Sequence, residues 1–421
     1  MRRTAILAVA VSLALSACAK GSPPANGAPL PSPSGDLLLI GDGTTIQAVN
    51  ADTGAVRFGI EGAVASPDRS TLFDAKVAGG HTTIRAFDAA TGDETDGPTV
   101  AGELAIVAVS TDGTQIALTA PYGDMGFGAV PPGRAATSIT VVDRTTGTSR
   151  VYLLHGNYVP EAFSTNDCCG PQGGNLYMLQ FNPPTAPTSY RVTAMSLAKG
   201  RVFDVLGPAK EPVENMTATR LQQVASPDGS TLYTLYSNQP PAYFAGNGVT
   251  APTKGEQAFV HTLRLDGGLA ICVRLPASFG TVPANASAIA VSPAGSTIYA
   301  VDALHGMVAS MDSETLDVTS ASIPLTATGA APVAAAVSED GSKLFVSTGG
   351  DSIAVVDTAT LSVTSTWTAP ATVSDLRLSA SGSRLYLAAA DGIDVLDAAT
   401  GAMLGTIPVP AQSIDFAGSL G

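Results

Sequence analysis

Charge, aromatic rings and histidine are all scarce in this chain. Of its 421 residues only 13% are charged and 5% aromatic, with one tryptophan, Trp367, and four histidines. Long amphipathic helices need charged outer faces, so this composition argues against a helical architecture. His81, His155, His261 and His305 are scattered along the chain, none at metal-ligand spacing such as H-E-x-x-H. No phosphate-binding Walker loop occurs, and no G-x-S-x-G nucleophile elbow. Basic residues are outnumbered, 21 against 35 acidic, for a net charge of −14. A surface of that sign repels phosphate backbones and anionic lipid, which argues against a nucleic-acid ligand. What is abundant is apolar and turn-forming: 45% hydrophobic residues, 44 Gly and 29 Pro. That mixture suits many short strands joined by turns, over a core of Val, Ala, Leu and Ile.

The longest apolar run lies at the start. Met1 to Arg3 are positive, Thr4 to Leu15 are almost wholly apolar, and Leu15-Ser16-Ala17-Cys18 follows. A charged start, about 12 apolar residues and small residues before a cut make a signal peptide, and the run is too short to span a bilayer. Leu-Ser-Ala-Cys resembles the lipobox of bacterial lipoproteins. That resemblance implies cleavage before Cys18, a diacylglyceryl group on its sulfur and acylation (such as palmitate) of the new amine. The expected division is therefore 1–17 signal peptide, 18–36 lipidated cysteine and tether, and 37–421 folded domain. The alternative is an ordinary secretory signal cut nearby, with Cys18 a plain thiol. Ala19 to Ser34 is rich in Pro, Gly, Ser and Ala without hydrophobic period, as a flexible tether would be. Removing Arg2 and Arg3 leaves 19 basic against 35 acidic residues, a balance of −16.

From residue 37 onward a repeat dominates. Ser66-Pro67-Asp68-Arg69-Ser70-Thr71-Leu72-Phe73 returns as Ser226-Pro227-Asp228-Gly229-Ser230-Thr231-Leu232-Tyr233, with further copies at Ser110, Ser292, Ser338 and Ser379. The pattern S-x-D-G-S-x-L-Y is a turn followed by a strand: Asp caps the turn and Gly accepts positive φ. A second element follows each first one, as in Ile84 to Gly92 (IRAFDAATG) and Ile393 to Gly401 (IDVLDAATG). Each unit is thus four short antiparallel strands, a to d, with tight a–b and c–d turns, the signature of a propeller.

These motifs are similar to those of YVTN-type and lactonase-like bacterial β-propellers. The likeness covers about residues 37 to 417 and implies an all-β propeller of four-stranded antiparallel blades. No Trp-Asp dipeptide occurs, which separates the chain from the WD40 branch. Inner strands are expected near Ala63, Ile106, Glu161, Leu221, Ala288, Val333 and Val373, seven full units. Residues 37 to 60 hold three strands and Ser413 to Ala417 a lone fourth. Joining them closes an eighth blade from both termini and removes free edges. Eight blades is the expectation, with seven the alternative should the degenerate third unit be lost.

The long connections fall between strands b and c of units two, three and four: Pro121 to Thr137, Phe181 to Ser189 and Ser237 to Gln257. On consecutive blades they gather in one sector of one face, where binding residues concentrate on a rigid scaffold. The candidate ligand-binding residues are Tyr122, Asp124, Phe127, Arg134, His155, Tyr158, Tyr243, Phe244 and Asn247, with Met125 beside them. No catalytic constellation stands out, and the catalytic acids, histidines and arginines of lactonase-like relatives have no motif match. Asp68, Asp112, Asp228 and Asp340 recur at one repeat position and read as turn caps. The run Asp88, Asp93, Glu94, Asp96 reads as a solvated turn or, alternatively, a Ca²⁺ site. Cys168, Cys169 and Cys272 could form one disulfide in an oxidising compartment, from either neighbour to Cys272 or between the neighbours.

The sequence therefore leads to a monomeric, extracytoplasmic propeller, lipid-anchored to a cell membrane and without cofactor or metal. Its expected role is to bind a protein, peptide or glycan. The alternatives are a lactonase-like or lyase-type enzyme and a structural component of a cell-envelope complex.

Overall fold

The computed structural model describes residues 33–122, 127–165, 174–210, 213, 215–238, 257–280 and 283–419. They form eight four-stranded antiparallel sheets and, beyond these, one 3-10 turn at Ala284–Ala286. Blade 1 joins β1 (Leu37–Gly41), β2 (Thr45–Asn50) and β3 (Val56–Glu61) to the last strand, β32 (Ser413–Gly418). Blade 2 is β4 (Val64–Ala65), β5 (Thr71–Ala78), β6 (His81–Asp88) and β7 (Glu94–Ala101). Blade 3 is β8 (Ala105–Val109), β9 (Gln115–Thr119), β10 (Ala136–Asp143) and β11 (Thr148–His155). Blade 4 is β12 (Asn157–Phe163), β13 (Asn175–Asn182), β14 (Ser189–Ser196) and β15 (Arg201–Asp204). Blade 5 is β16 (Thr219–Ala225), β17 (Thr231–Ser237), β18 (Ala258–Arg264) and β19 (Leu269–Arg274). Blade 6 is β20 (Ser287–Val291), β21 (Thr297–Asp302), β22 (Met307–Asp312) and β23 (Val318–Ser322). Blade 7 is β24 (Ala335–Val337), β25 (Lys343–Ser347), β26 (Ser352–Asp357) and β27 (Ser362–Thr368). Blade 8 is β28 (Asp375–Leu378), β29 (Arg384–Ala389), β30 (Gly392–Asp397) and β31 (Met403–Ile407). The expected eight blades and shared closing blade are what the chain forms; seven is not.

The turns hold for the reason the repeat suggests. Ser66 Oγ donates to Asp68 Oδ1 at 2.5 Å, and the same carboxylate accepts from the Ser70 amide at 3.0 Å. Ser66 Oγ also accepts from the Thr71 amide at 3.0 Å, locking the start of β5. The latch repeats at Ser110/Asp112, Ser226/Asp228 and Ser338/Asp340. The Ser338 hydroxyl and the Ser342 amide and hydroxyl hold the Asp340 carboxyl down at about 2. These aspartates stabilise turns. Arg69 stands where the other copies carry Gly and adopts φ +64°, a region costly for a side chain.

Successive side chains of a strand face opposite neighbours. Leu38 and Ile40 of β1 pack on Tyr386 and Ile393 of blade 8, whereas Leu37 and Leu39 pack on Leu72 and Phe87 of blade 2. Strands buried on both faces therefore read as continuous apolar runs such as Leu37-Leu38-Leu39-Ile40. Apolar layers of this kind fill all eight interfaces between neighbouring blades.

Two details differ from expectation. The inner strand of blade 4 begins at Asn157, four residues before Glu161, and Gly156 alone links it to β11. His155-Gly156-Asn157-Tyr158 is thus a tight strand-to-strand step and no loop. Second, long connections also run between strands d and a, at 205–218 and 275–286; their Gly, Pro and polar content was the available signal.

Candidate functional site

The b–c connection of blade 3 leaves β9 at Thr119 and returns at Ala136. Its described parts lie across blade 4 and reach blade 5. The Arg134 amide donates to the Pro184 carbonyl at 2.8 Å. Gly133 packs so closely on the Thr185 carbonyl that a Cβ would sit 2.0 Å from it. Asn157, wholly buried, donates its amide to the Pro132 and Pro184 carbonyls at 3.0 and 3.1 Å, tying both loops to β12. Gly128, at φ +84°, lies where a Cβ would meet the Arg220 carbonyl at 2.3 Å.

Two guanidinium–aromatic stacks sit in this layer. Arg134 lies 4.1 Å from the centre of the Tyr122 ring, whose hydroxyl donates to the Tyr158 carbonyl at 2.9 Å. Arg220 lies 4.4 Å from the centre of the Phe127 ring. Phe127 remains 52% exposed, an apolar ring held at the surface. Burial pushes the Tyr122 and Tyr158 hydroxyls up, so both stay neutral donors and acceptors at physiological pH.

Beneath Phe127 is a buried polar cluster. Glu161 is the extra residue of a β-bulge in β12, a device that re-aims a side chain. It forms an ion pair with Arg220 of β16, both side chains under 10% exposed. Gln223 donates to Glu161 and to Thr234 Oγ1, each at 2.9 Å. His261 lies behind them on β18, 3% exposed, edge-on to Tyr236 with ring centres 5.9 Å apart. Burial, the dominant effect, pulls the imidazole down to about 4; Glu161 opposes this and Arg220 adds to it. The Glu161 carboxylate is committed to Arg220 and Gln223, so the cluster holds structure under the aromatic layer.

The predicted residues divide clearly. Tyr122, Arg134 and Tyr158 come together, and Phe127 joins the same layer through Arg220. His155 ends β11, exposed on the outer strand of blade 3. Asp124, Tyr243, Phe244 and Asn247 lie outside the described residues, as do Met125, Cys168 and Cys169. Cys272 is exposed on the outer strand β19. Among the described residues no group of three His, Cys, Asp or Glu could hold a metal ion. A cavity of about 390 Å³ adjoins the sector on blade 5, lined by Asn215, Met216, Thr217, Phe259 and Ile271 among others. Gly207, Pro208 and Val213 also line it.

Fold and site together define an eight-bladed propeller with an aromatic loop layer over blades 3 to 5. No protein-family model matches the chain, and no curated protein matches it. Apo AztD from Citrobacter koseri is similar in structure, with a TM-score of 0.51 at 12% identity over 91% of this chain and 98% of that one. The dihydro-heme d1 dehydrogenase NirN in complex with DHE has a TM-score of 0.52 at 14% identity, over 93% of this chain and 76% of its own. These likenesses concern the fold alone.

Proposed function

We propose that this protein is a lipid-anchored, extracytoplasmic binding module that holds a protein, peptide or glycan on the loop layer of blades 3 to 5. The observation that carries this reading is the pair of guanidinium–aromatic stacks, Arg134 on Tyr122 and Arg220 on Phe127, in one layer across three blades. Rigid aromatic anchors beside arginine are the side chains that dominate recognition surfaces. An enzyme would need ionisable groups converging on a pocket; here Arg134 stacks over the Tyr122 ring and His155 sits on the exposed outer strand β11.

The entry of the chain supports a matching orientation. The Ser34 and Gly35 amides donate to Asp52 at 2.7 and 2.8 Å, and Tyr386 donates to Asp36 at 2.7 Å. Asp52 belongs to the turn between β2 and β3, on the tight-turn face opposite the long loops. A tether from Cys18 would reach the domain on that side and leave the loop layer facing away from the membrane.

The test is an array of glycans and peptides probed with the full chain and with a Phe127→Ala, Arg134→Ala double variant. Affinity for any selected ligand is expected to fall about tenfold or more; equal affinity would overturn the loop-layer reading. Separately, Cys18→Ser should move the protein from the membrane to the soluble fraction. Continued sedimentation with membranes would refute the lipid anchor, since two or more acyl chains are what hold such a protein firmly.

A further inference from the structure

The eight outer strands are the sheet edges of this propeller, and seven of them are blunted. An edge offers every second N–H and C=O to solvent, and proteins guard it by shortness, bulges, proline or charge. β15 has four residues, and β23 and β31 have five each. β3, β7, β27 and β31 pair with their neighbours through a register shift, and β7 also carries Gly97 and Pro98. β19 has six residues, with Arg274 exposed at its end.

β11 is neither short nor bulged nor broken by proline, and its one charged side chain, Arg150, is tied down onto blade 4. It runs eight residues, Thr148–His155, in unbroken register with β10 from Ala136↔His155 to Asp143↔Thr148. Its sequence contains no proline, glycine or acid. Tyr152 and Leu154 anchor it against blade 4, and the Tyr152 hydroxyl donates to the Leu197 carbonyl at 2.6 Å. Arg150 donates to the Leu197 and Ala198 carbonyls at 2.9 and 3.0 Å, which fixes the strand further. Val151 and Leu153 point the other way, 64% and 68% exposed, the two highest values among large apolar side chains of the described residues. His155 completes the row on that side.

We propose that β11 is a docking edge for an extended segment of a partner protein, added as a fifth strand to blade 3. Backbone groups of the edge would pair with the segment, and Val151 and Leu153 would receive its alternate apolar side chains. The chain's charge of −14 selects the partner's sign: a basic partner is drawn in, whereas a second copy of this chain is repelled. This site is independent of the loop layer and stands if that reading fails.

The experiment is amide hydrogen exchange on the full chain with the probe peptide Lys-Lys-Val-Thr-Val-Thr-Val-Thr-Lys-Lys. Salt is kept at about 0.15 M, where surface charge is screened beyond roughly 8 Å. Protection is expected within 148–155 and absent from the other outer strands. A Val151→Thr, Leu153→Thr variant keeps good strand formers at exposed positions. It should retain its melting temperature and bind about tenfold more weakly. A matched peptide N-methylated at alternate residues, unable to pair, should give no protection. Protection elsewhere, none at all, or equal binding by the variant would overturn the proposal. So would protection of β11 in the free protein that grows with protein concentration, because the occupant would then be a second copy.

Discussion

Deleting residues 413–421 is expected to lower the melting temperature by at least about 10 °C. β32 is the innermost strand of blade 1, and its pairing with β1 closes the ring. It pairs with β1 from Leu37↔Gly418 to Gly41↔Ser413, with a bulge at Asp415. Ile414 is fully buried between blades 8 and 1, a burial worth about 1.5–3 kcal/mol by itself. Side chains from both flanking blades grip the strand. Asp375 of β28 accepts from the Ile414 amide at 2.8 Å, and Arg377 donates to the Ile414 carbonyl at 2.8 Å. Arg69, in its left-handed turn, donates to the Asp415 carbonyl at 3.4 Å. Burial pushes the Asp375 carboxyl up, so losing the Ile414 amide leaves a poorly solvated acid, a further cost of about 1–3 kcal/mol. Deletion would also turn β1, the apolar run Leu37–Gly41, into an open edge facing the channel. Calorimetry of the full chain and the truncation decides it, with Ile414→Ala as a milder arm expected to cost about 2–5 kcal/mol. A truncated protein melting within about 2 °C of the full chain would show that the seam contributes little.

The ease of reading this fold from sequence follows from where its information lies. The Ser66–Asp68–Ser70 latch spans five residues, so local spacing reveals it, and the turn motif recurs in six of the eight blades. The repeat spacing sets an inner-strand start near Glu161. In fact Glu161 occupies a mid-strand bulge, and the strand starts at Asn157. The site divides in the same way. Tyr122 and Arg134 share one loop and are legible as neighbours. The contact of Phe127 with Arg220 spans two blade boundaries, and no periodicity encodes it. Glu161, Gln223 and His261 come from three strands of two blades; a partial trace is the polar Thr219-Arg220-Leu221-Gln222-Gln223 where β8, β20 and β24 carry mostly Ala, Val or Ile. The β11 segment reads as an ordinary half-buried strand, and its exposed edge emerges only from the order of strands within the blade.

That hidden cluster yields the second large effect, a loss of stability as pH falls from 6.5 towards 4. His261 is neutral in the folded protein because burial holds its imidazole down at about 4, whereas in the unfolded chain it has its ordinary value near 6.5. Between those values the unfolded state binds the extra proton, so unfolding is favoured by acid and stability rises with pH. The contribution is fully present above 6.5 and fades as pH drops to about 4. Its size is roughly 3 kcal/mol, from about 2.5 pH units at 1.36 kcal/mol each. Burial sets the balance; Glu161 favours the imidazolium and Arg220 opposes it, and the Glu161 carboxylate is already engaged by Arg220 and Gln223. A His261→Gln variant removes the titration while keeping a polar side chain on β18. Its absolute stability is free to differ, because the readout is the slope between pH 6.5 and 4.5 in denaturant unfolding. The slope should flatten relative to the unmodified chain, whose exposed histidines, His81, His155 and His305, are common to both proteins. Equal slopes would mean that His261 binds its proton as readily in the fold as in the unfolded chain, and would overturn this prediction.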